Sequence, residues 1–163
     1  MEPNQKVADF TLQDEQENTV HISDFAGKPV ALFFYPKADT PGCTIEACGF
    51  RDIFKKIQDA GAVVLGISRD TPKAQKKFKE KYDLPYALLA DVDEVVCKQF
   101  DVLKEKNMYG KKVIGIERTT FLIGPDQHLI RVFPKVKPEG HAEEVLAAVN
   151  EYTRAHQAQA HQG

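Results

Sequence analysis

The stretch 29–48 constrains this chain most, because an apolar segment there leads directly into a helix that begins with a cysteine. Residues 29–35 are apolar and bounded by proline, a pattern typical of a buried strand. Thr40 then suits the N-cap of a helix, and Pro41 suits its first position. The pattern predicts a helix over residues 42–57, whose apolar stripe consists of Ile45, Phe50, Ile53, Phe54 and Ile57.

Cys43 falls in the first turn of this predicted helix. The backbone N–H groups of a first turn have no partner within the helix, and the helix dipole places partial positive charge there. Both effects favour a thiolate over a thiol. Cys43 is therefore a candidate nucleophile. The alternative is a small apolar core residue, since free cysteine is commonly buried.

A second cysteine, Cys48, lies five positions after Cys43. On an intact α-helix the Cα atoms of such a pair are about 8.7 Å apart. A disulfide needs Cα atoms closer than about 7 Å. The pair can therefore form a disulfide only if the first helical turns unwind, and a permanent structural disulfide is not expected. A transient disulfide and two unpaired thiols both fit this spacing.

Size and composition predict a single domain over residues 1–163, with a polar tail at 155–163 that we expect to fray. The 22 basic and 24 acidic residues nearly balance, which argues against a dedicated nucleic-acid or anionic-membrane surface. We see no membrane-length apolar run and no apolar leader, so with three cysteines we expect a cytoplasmic protein. No Cys-x-x-Cys pair or zinc-finger spacing occurs, and no metal or other cofactor is expected.

Predicted strands and helices alternate along the rest of the chain. The predicted strands are 7–12, 19–22, 62–68, 86–91, 118–123 and 129–133, and the predicted helices are 71–82, 93–100 and 139–154. The last two strands flank Gly124-Pro125-Asp126-Gln127, a strong hairpin signal. In the helix 93–100, Val95, Val96 and Phe100 are spaced for burial. This order predicts an α/β fold with a mixed central sheet and helices on both faces.

The motif around Cys43 resembles that of a known family. The run Pro36-x-x-x-Thr40-x-x-Cys43 resembles the active-site signature of the peroxiredoxins, and residues 42–48 are similar to their Q-type subfamily, the bacterioferritin comigratory proteins. The similarity extends from about Val7 to about Tyr152. The resemblance implies a thioredoxin-like fold, thiol peroxidase activity on hydrogen peroxide and organic hydroperoxides, and thioredoxin as the reductant. We also expect a monomer.

The same resemblance implies roles for particular residues. Arg118, at the start of strand 118–123, would place a fixed charge and directed N–H donors beside the Cys43 thiolate. Thr40 would accept a hydrogen bond from the peroxide, although its hydroxyl could instead accept a backbone N–H as the helix cap. Pro36 would shield the site from water. We interpret Glu46 as orienting Arg118, the alternative being an acid favoured in a first helical turn.

In the implied reaction Cys43 attacks the peroxide, and its sulfenic acid condenses with the Cys48 thiol after local unfolding. Thioredoxin then reduces the disulfide by exchange. We interpret Cys97 as a buried helix residue rather than the resolving cysteine. Two other classes remain open. One is a protein thiol–disulfide oxidoreductase, against which the missing Cys-x-x-Cys counts. The other is a redox-sensing or holdase-type binding protein whose oxidised form exposes apolar surface.

Overall fold

The computed structural model describes the backbone of residues 1–162 and the side chains of residues 1–156. The strands in this part of the chain are β1 (Thr11–Gln13), β2 (Thr19–His21), β3 (Val30–Phe34), β4 (Val63–Ser68), β5 (Ala87–Ala90), β6 (Leu103–Met108), β7 (Lys111–Ile116), β8 (Thr119–Ile123) and β9 (Leu129–Phe133). The α-helices are α1 (Pro41–Asp52), α2 (Phe54–Asp59), α3 (Pro72–Tyr82), α4 (Val95–Gln99) and α5 (His141–Gln162), and a 3-10 helix spans Ile22–Phe25.

Seven strands form one mixed sheet in the order β2-β1-β5-β4-β3-β8-β9. The central strands β3, β4 and β5 are parallel, whereas β1, β8 and β9 join antiparallel. Phe34, the last residue of β3, pairs with Ile67 of β4 and with Thr119, the first residue of β8. The carboxyl end of β3 therefore lies beside the start of β8 at the centre of the sheet.

Both faces of the sheet are covered, and each has its own apolar core. On one face Ala31 and Phe33 of β3 pack with residues of α1, α2, α3 and α5. On the other face Leu32 and Phe34 pack with residues of α4 and of the 3-10 helix. Successive residues of a strand point to opposite faces, so β3 is apolar throughout because both of its faces are buried. The predicted mixed sheet with helices on both faces is confirmed.

The single helix predicted over 42–57 is wrong, because the chain leaves helical geometry at Ile53 (φ −115°, ψ 15°), between α1 and α2. The predicted apolar stripe is also wrong at Ile45, which is 45% exposed. The buried positions of α1 are Cys43, Glu46, Ala47 and Phe50. They follow the i, i+3, i+4, i+7 spacing of one helix face. A charged residue belongs to that face, which is why apolar residues alone gave the wrong stripe.

The two-stranded sheet of β6 and β7 was not predicted from the sequence. Its two-residue turn is Tyr109-Gly110, with φ of 54° and 79°. Positive φ at both central residues is characteristic of a type I′ hairpin turn. Many of its strand residues are charged or exposed, so the half-buried alternation that usually identifies a strand is weak here.

The helix predicted over 93–100 is shorter in the structure, and Val95 is 64% exposed rather than buried. With little more than one turn, α4 directs only Val96 and Cys97 into the core, together with Phe100 just after it.

Helix α5 continues beyond its predicted end into the segment 155–163, with Gly163 outside the described residues. The single domain and the fraying of that segment stay predictions. Within residues 1–162, none of the helices has the length and apolar character to cross a bilayer.

Candidate active site

The sheet topology brings Cys43 and Arg118 together although 75 positions separate them. Because Phe34 pairs with Thr119, the chain that leaves β3 and the chain that enters β8 are neighbours. The first continues through residues 35–40 into the first turn of α1, where Cys43 lies. Arg118 immediately precedes β8, one residue outside the strand predicted to begin with it. The central strands therefore define where the two side chains meet.

One guanidinium nitrogen contacts both a thiol and a carboxyl group. Nη1 of Arg118 donates to Sγ of Cys43 at 3.5 Å and to Oε1 of Glu46 at 2.9 Å. Cys43 is 1% exposed, the Glu46 side chain is fully buried and the Arg118 side chain is 14% exposed. Burial opposes the charge of Arg118, but Glu46 and Cys43 outweigh it and raise the pKa of the guanidinium. The cation at this site is therefore permanent.

The carboxyl group of Glu46 is held in an unusual environment. Burial raises the pKa of Glu46 to about 7, against the attraction of Arg118, which lowers it. Among the described residues, none forms a hydrogen bond with Oε2, the second carboxyl oxygen. A neutral carboxyl competes less with a Cys43 thiolate for the Arg118 charge than a carboxylate does. The net charge of the Arg118–Glu46 pair beside Cys43 therefore depends on pH near neutrality, because the carboxyl group titrates there.

Gly42 provides the space for the guanidinium. A Cβ atom at this position would lie 2.9 Å from Nη2 of Arg118 and 3.5 Å from Cγ of Pro138. Glycine inside a helix costs roughly 1 kcal/mol relative to alanine. In the sequence Gly42 stands out only as part of a motif, and its close approach to Arg118 was not predicted. The signal available in the sequence was a glycine in a first helical turn, where it is unfavourable.

Thr40 occupies the predicted N-cap position, with extended backbone (φ −97°, ψ 157°). Its carbonyl accepts from the N–H of Thr44 at 2.8 Å. The alternative in which the Thr40 hydroxyl caps the helix is not observed, and this hydroxyl instead donates to the carbonyl of Lys37 at 2.8 Å. A hydroxyl has one proton and two lone pairs. Its proton is thus used within the loop, and its lone pairs can accept from another donor.

Cys48 and Pro36 lie on the two elements that lead to and from Cys43, helix α1 and the segment between β3 and α1. Both Cys43 and Cys48 are unpaired thiols of α1, which is unbroken between them. Cys48 is half-buried, and burial raises the pKa of its thiol, opposed by the nearby charge of Arg51. Pro36 is half-buried in the segment between β3 and α1. The roles of both residues stay predictions.

Cys97 lies on the other side of the sheet from Cys43. It is fully buried in the core formed by α4, whereas Cys43 belongs to the core formed by α1, α2, α3 and α5. Burial and the neighbouring carboxylate of Asp91 raise the pKa of the Cys97 thiol. The predicted position of Cys97 as a buried helix residue is confirmed. Within the described residues, no group of three His, Cys, Asp or Glu side chains converges as a metal site.

Comparison with known proteins identifies the family. The model of the AhpC/TSA family matches residues 3–132. The chain belongs to this family. A putative peroxiredoxin Bcp of Coxiella burnetii is 52% identical over 146 residues, covering 90% of this chain and 97% of the relative. Peroxiredoxin Bcp of Bacillus subtilis is 43% identical over 151 residues, covering 93% and 96%. This AhpC/TSA-family protein is a peroxiredoxin, an oxidoreductase that reduces peroxides.

Solved structures agree with the fold. A cysteine-to-serine mutant of peroxiredoxin Q from Xylella fastidiosa superposes with a TM-score of 0.89 at 37% identity, covering 93% of this chain and 97% of that one. The bacterioferritin comigratory protein of Xanthomonas campestris gives 0.84 at 41% identity, covering 88% and 92%. The resemblance to Q-type peroxiredoxins and the thioredoxin-like fold are both confirmed. The sequence left three functional classes open, and these comparisons support the peroxidase over the thiol–disulfide oxidoreductase and the redox-sensing or holdase-type binding protein.

Proposed function

We propose that this peroxiredoxin reduces hydrogen peroxide and organic hydroperoxides at Cys43, that Cys48 resolves the oxidised sulfur, and that thioredoxin regenerates both thiols. The observation that carries the proposal is the position of Nη1 of Arg118, 3.5 Å from Sγ of Cys43 and 2.9 Å from Oε1 of Glu46. A buried cation at this place stabilises a thiolate and the charge that develops as the thiolate reacts.

In the first step the Cys43 thiolate attacks one peroxide oxygen in line with the O–O bond. A sulfur–oxygen bond forms, the O–O bond breaks, and its electron pair leaves on the second oxygen, which takes a proton and departs as water or an alcohol. Arg118 stabilises the negative charge that spreads over the oxygens, and the lone pairs of Thr40 hold the peroxide by its O–H. Pro36 limits the access of water. The sulfur of Cys43 becomes a sulfenic acid.

In the second step the thiol of Cys48 attacks the sulfenic sulfur, a disulfide forms, and water leaves. Both cysteines lie in the unbroken helix α1, where five positions correspond to a Cα separation of about 8.7 Å. The beginning of α1 must therefore unwind for this step. Cys97 is a poor alternative partner, because it lies in the core on the opposite face of the sheet from Cys43.

In the third step a dithiol reductant attacks the disulfide, forms a mixed disulfide and leaves oxidised, so that two thiols are restored. Thioredoxin is proposed for this step from the resemblance of the motif at residues 36–48. Organic hydroperoxides are included as substrates because the Xanthomonas campestris relative is described by its alkyl peroxide reduction activity.

We further propose a cytoplasmic monomer, since the three cysteines are unpaired thiols and one chain supplies every proposed site residue.

The proposal is tested by peroxide consumption with thioredoxin and thioredoxin reductase, using hydrogen peroxide, tert-butyl hydroperoxide and cumene hydroperoxide. A parallel reaction with glutathione and glutaredoxin tests the choice of reductant. We expect Cys43→Ser to abolish turnover, because an alcohol has almost no anion at neutral pH. Wild-type turnover by Cys43→Ser would contradict Cys43 as nucleophile. Turnover supported by glutathione and not by thioredoxin would contradict the reductant alone.

A further inference from the structure

A buried chain of hydrogen bonds connects helix α3 with the loop 36–40 that precedes the proposed nucleophile. The hydroxyl of Tyr35 donates to the side-chain oxygen of Gln75. The amide nitrogen of Gln75 donates to Oγ of Ser68 at 3.0 Å and to the carbonyl of Leu89 at 2.8 Å. Tyr35, Gln75 and Ser68 are all fully buried. The reaction described above does not use any of them.

The chain ends on a carboxylate that contacts the loop. Oγ of Ser68 donates to Oδ2 of Asp70 at 2.6 Å, and the backbone N–H of Ala38 donates to the same oxygen at 2.8 Å. The carbonyl of Leu89 can only accept, so it fixes the orientation of the Gln75 amide. The bonds therefore run in one direction from Tyr35 through Gln75 and Ser68 to Asp70. A buried polar group that loses its partner costs about 1–3 kcal/mol. The position of the Asp70 carboxylate is therefore strongly determined by the fold.

The peptide group between Lys37 and Ala38 links Asp70 to Thr40. Its N–H donates to Asp70, and its carbonyl, on Lys37, accepts from the hydroxyl of Thr40 at 2.8 Å. One rigid peptide plane is thus held at its two ends by Asp70 and Thr40. The carboxylate also polarises that peptide, which strengthens the bond accepted by its carbonyl. Rotation of this plane would redirect the proton of Thr40.

We propose that Asp70 is a positioning residue for peroxide reduction. It fixes the peptide plane between Lys37 and Ala38, and through that plane it directs the proton of Thr40 away from the substrate. The lone pairs of Thr40 then face the peroxide. Ser68 and Gln75 hold Asp70 in place for this purpose. The inference deepens the proposed function and rests on its assignments of Cys43 and Thr40.

The test compares two rates in Asp70→Ala and Asp70→Asn. The first is the stopped-flow rate of sulfenic acid formation with hydrogen peroxide, which needs the hydroxyl of Thr40. The second is alkylation of the Cys43 thiolate by iodoacetamide at the same pH, which does not need it. We expect Asp70→Ala to slow the first about 10- to 100-fold and to leave the second within about twofold. Asp70→Asn restores most of the first rate, because its amide oxygen can accept both bonds. The exposed Asp93, as Asp93→Ala, is the control.

A double-mutant cycle separates positioning from general disruption. Because Asp70 acts through Thr40, Asp70→Ala should have almost no further effect on the peroxide rate in a Thr40→Val background. A full additional loss in that background, or an equal loss of both rates in Asp70→Ala, would overturn the proposal. Should Asp70→Ala not fold, Ser68→Ala serves for the same comparison, since it removes the donor to Asp70 and leaves the bond from Ala38. Equal peroxide and alkylation losses in Ser68→Ala would then overturn it.

The outcomes also distinguish this inference from the proposed function. Sulfenic acid that forms on a cysteine other than Cys43 contradicts the proposed function, and with it the inference. A wild-type rate in Thr40→Val contradicts the role proposed for Thr40 in peroxide reduction, and with it the inference. Loss of the peroxide rate in Thr40→Val with an unchanged rate in Asp70→Ala contradicts the inference alone.

Discussion

Gly42 and Arg118 are so close that a Cβ atom on Gly42 would lie 2.9 Å from Nη2 of the guanidinium. A side chain at this position of α1 would therefore displace the end of the Arg118 side chain, which contacts Cys43. The glycine weakens the helix by roughly 1 kcal/mol relative to alanine. This loss of helix stability accompanies the contact between the cation and the thiol.

Gly42→Ala should slow peroxide reduction although alanine favours the helix more than glycine does. We expect the added methyl group to displace Arg118 and to slow peroxide reduction at least about tenfold, since a misplacement near 1 Å can cost up to about 100-fold. The matched control is Gly49→Ala on the same helix, where the nearest atom to the new Cβ is Cβ of Ala142 at 3.5 Å. That variant should keep the wild-type rate. Equal stopped-flow rates for both variants would contradict the role of Gly42.

Removal of the guanidinium should affect both the thiolate and its reaction. We expect Arg118→Ala to lower the peroxide rate by about 100- to 1,000-fold, the effect typical of losing one transition-state donor. Iodoacetamide should also alkylate Cys43 more slowly at pH 6, because the cation 3.5 Å from Sγ is absent. Arg118→Lys keeps the charge without the forked geometry. Its peroxide and alkylation rates should therefore lie between those of the wild type and those of Arg118→Ala. An unchanged alkylation rate in Arg118→Ala would show that this cation does not stabilise the thiolate.

The two threonines that begin helices provide a matched pair. The hydroxyl of Thr40 does not cap α1, whereas the hydroxyl of Thr71 accepts from the N–H of Ala74 at 3.2 Å and caps α3. Thr40→Val should therefore slow peroxide reduction by about 100-fold with little change in stability. Thr71→Val should lose about 1 kcal/mol of stability and keep its peroxide rate. Urea unfolding and stopped-flow kinetics on both variants check this, and the reverse pattern would contradict it.

Glu46 should make the stability of the wild type depend on pH. Its pKa is raised from 4.5 to about 7 by burial, so the folded state binds this proton more tightly than the unfolded state. The resulting stabilisation is complete below pH 4.5 and is lost as the pH rises through about 7. Glu46→Gln lacks this proton. We expect the variant to gain on the order of 3 kcal/mol relative to the wild type between pH 4 and pH 8.

Urea unfolding of both proteins at several pH values measures that difference, and titrating groups that do not interact with Glu46 cancel in the comparison. A difference in the free energy of unfolding that stays constant from pH 4 to pH 8 would contradict the raised pKa of Glu46. Arg118 and Glu46 are 2.9 Å apart in the wild type, and we expect the variant to keep this pair because glutamine retains an oxygen that can accept from Arg118.

Local sequence patterns located the strand and the helix that carry the candidate site, but not the contacts between its side chains. The strand at 29–35, the start of α1 and the residues of the motif around Cys43 follow from local patterns, and the resemblance supplied Arg118. The bond from Ala38 to Asp70 and the approach of Arg118 to Gly42 join segments far apart in the chain. Such contacts depend on the order of strands in the sheet, which local periodicity does not contain.

One local prediction failed because of a contact with a distant part of the chain. Ile45 was placed on the buried face of α1 because it is apolar, yet Glu46 occupies that face. A carboxyl group can be buried there because Arg118 pairs with it, and that partner comes from another part of the chain. The alternative in which the hydroxyl of Thr40 caps the helix is also not observed, and that hydroxyl donates to the carbonyl of Lys37 in the same loop.

The measurement that tests the account most directly is peptide mapping by mass spectrometry after one equivalent of hydrogen peroxide. We predict that the wild type yields a Cys43–Cys48 disulfide with Cys97 still a thiol, and that Cys48→Ser yields a sulfenic acid on Cys43 that a dimedone probe captures. With excess peroxide the variant should proceed to the sulfinic acid. An unmodified Cys43, a Cys43–Cys97 disulfide or an intermolecular disulfide as the main product would contradict the account.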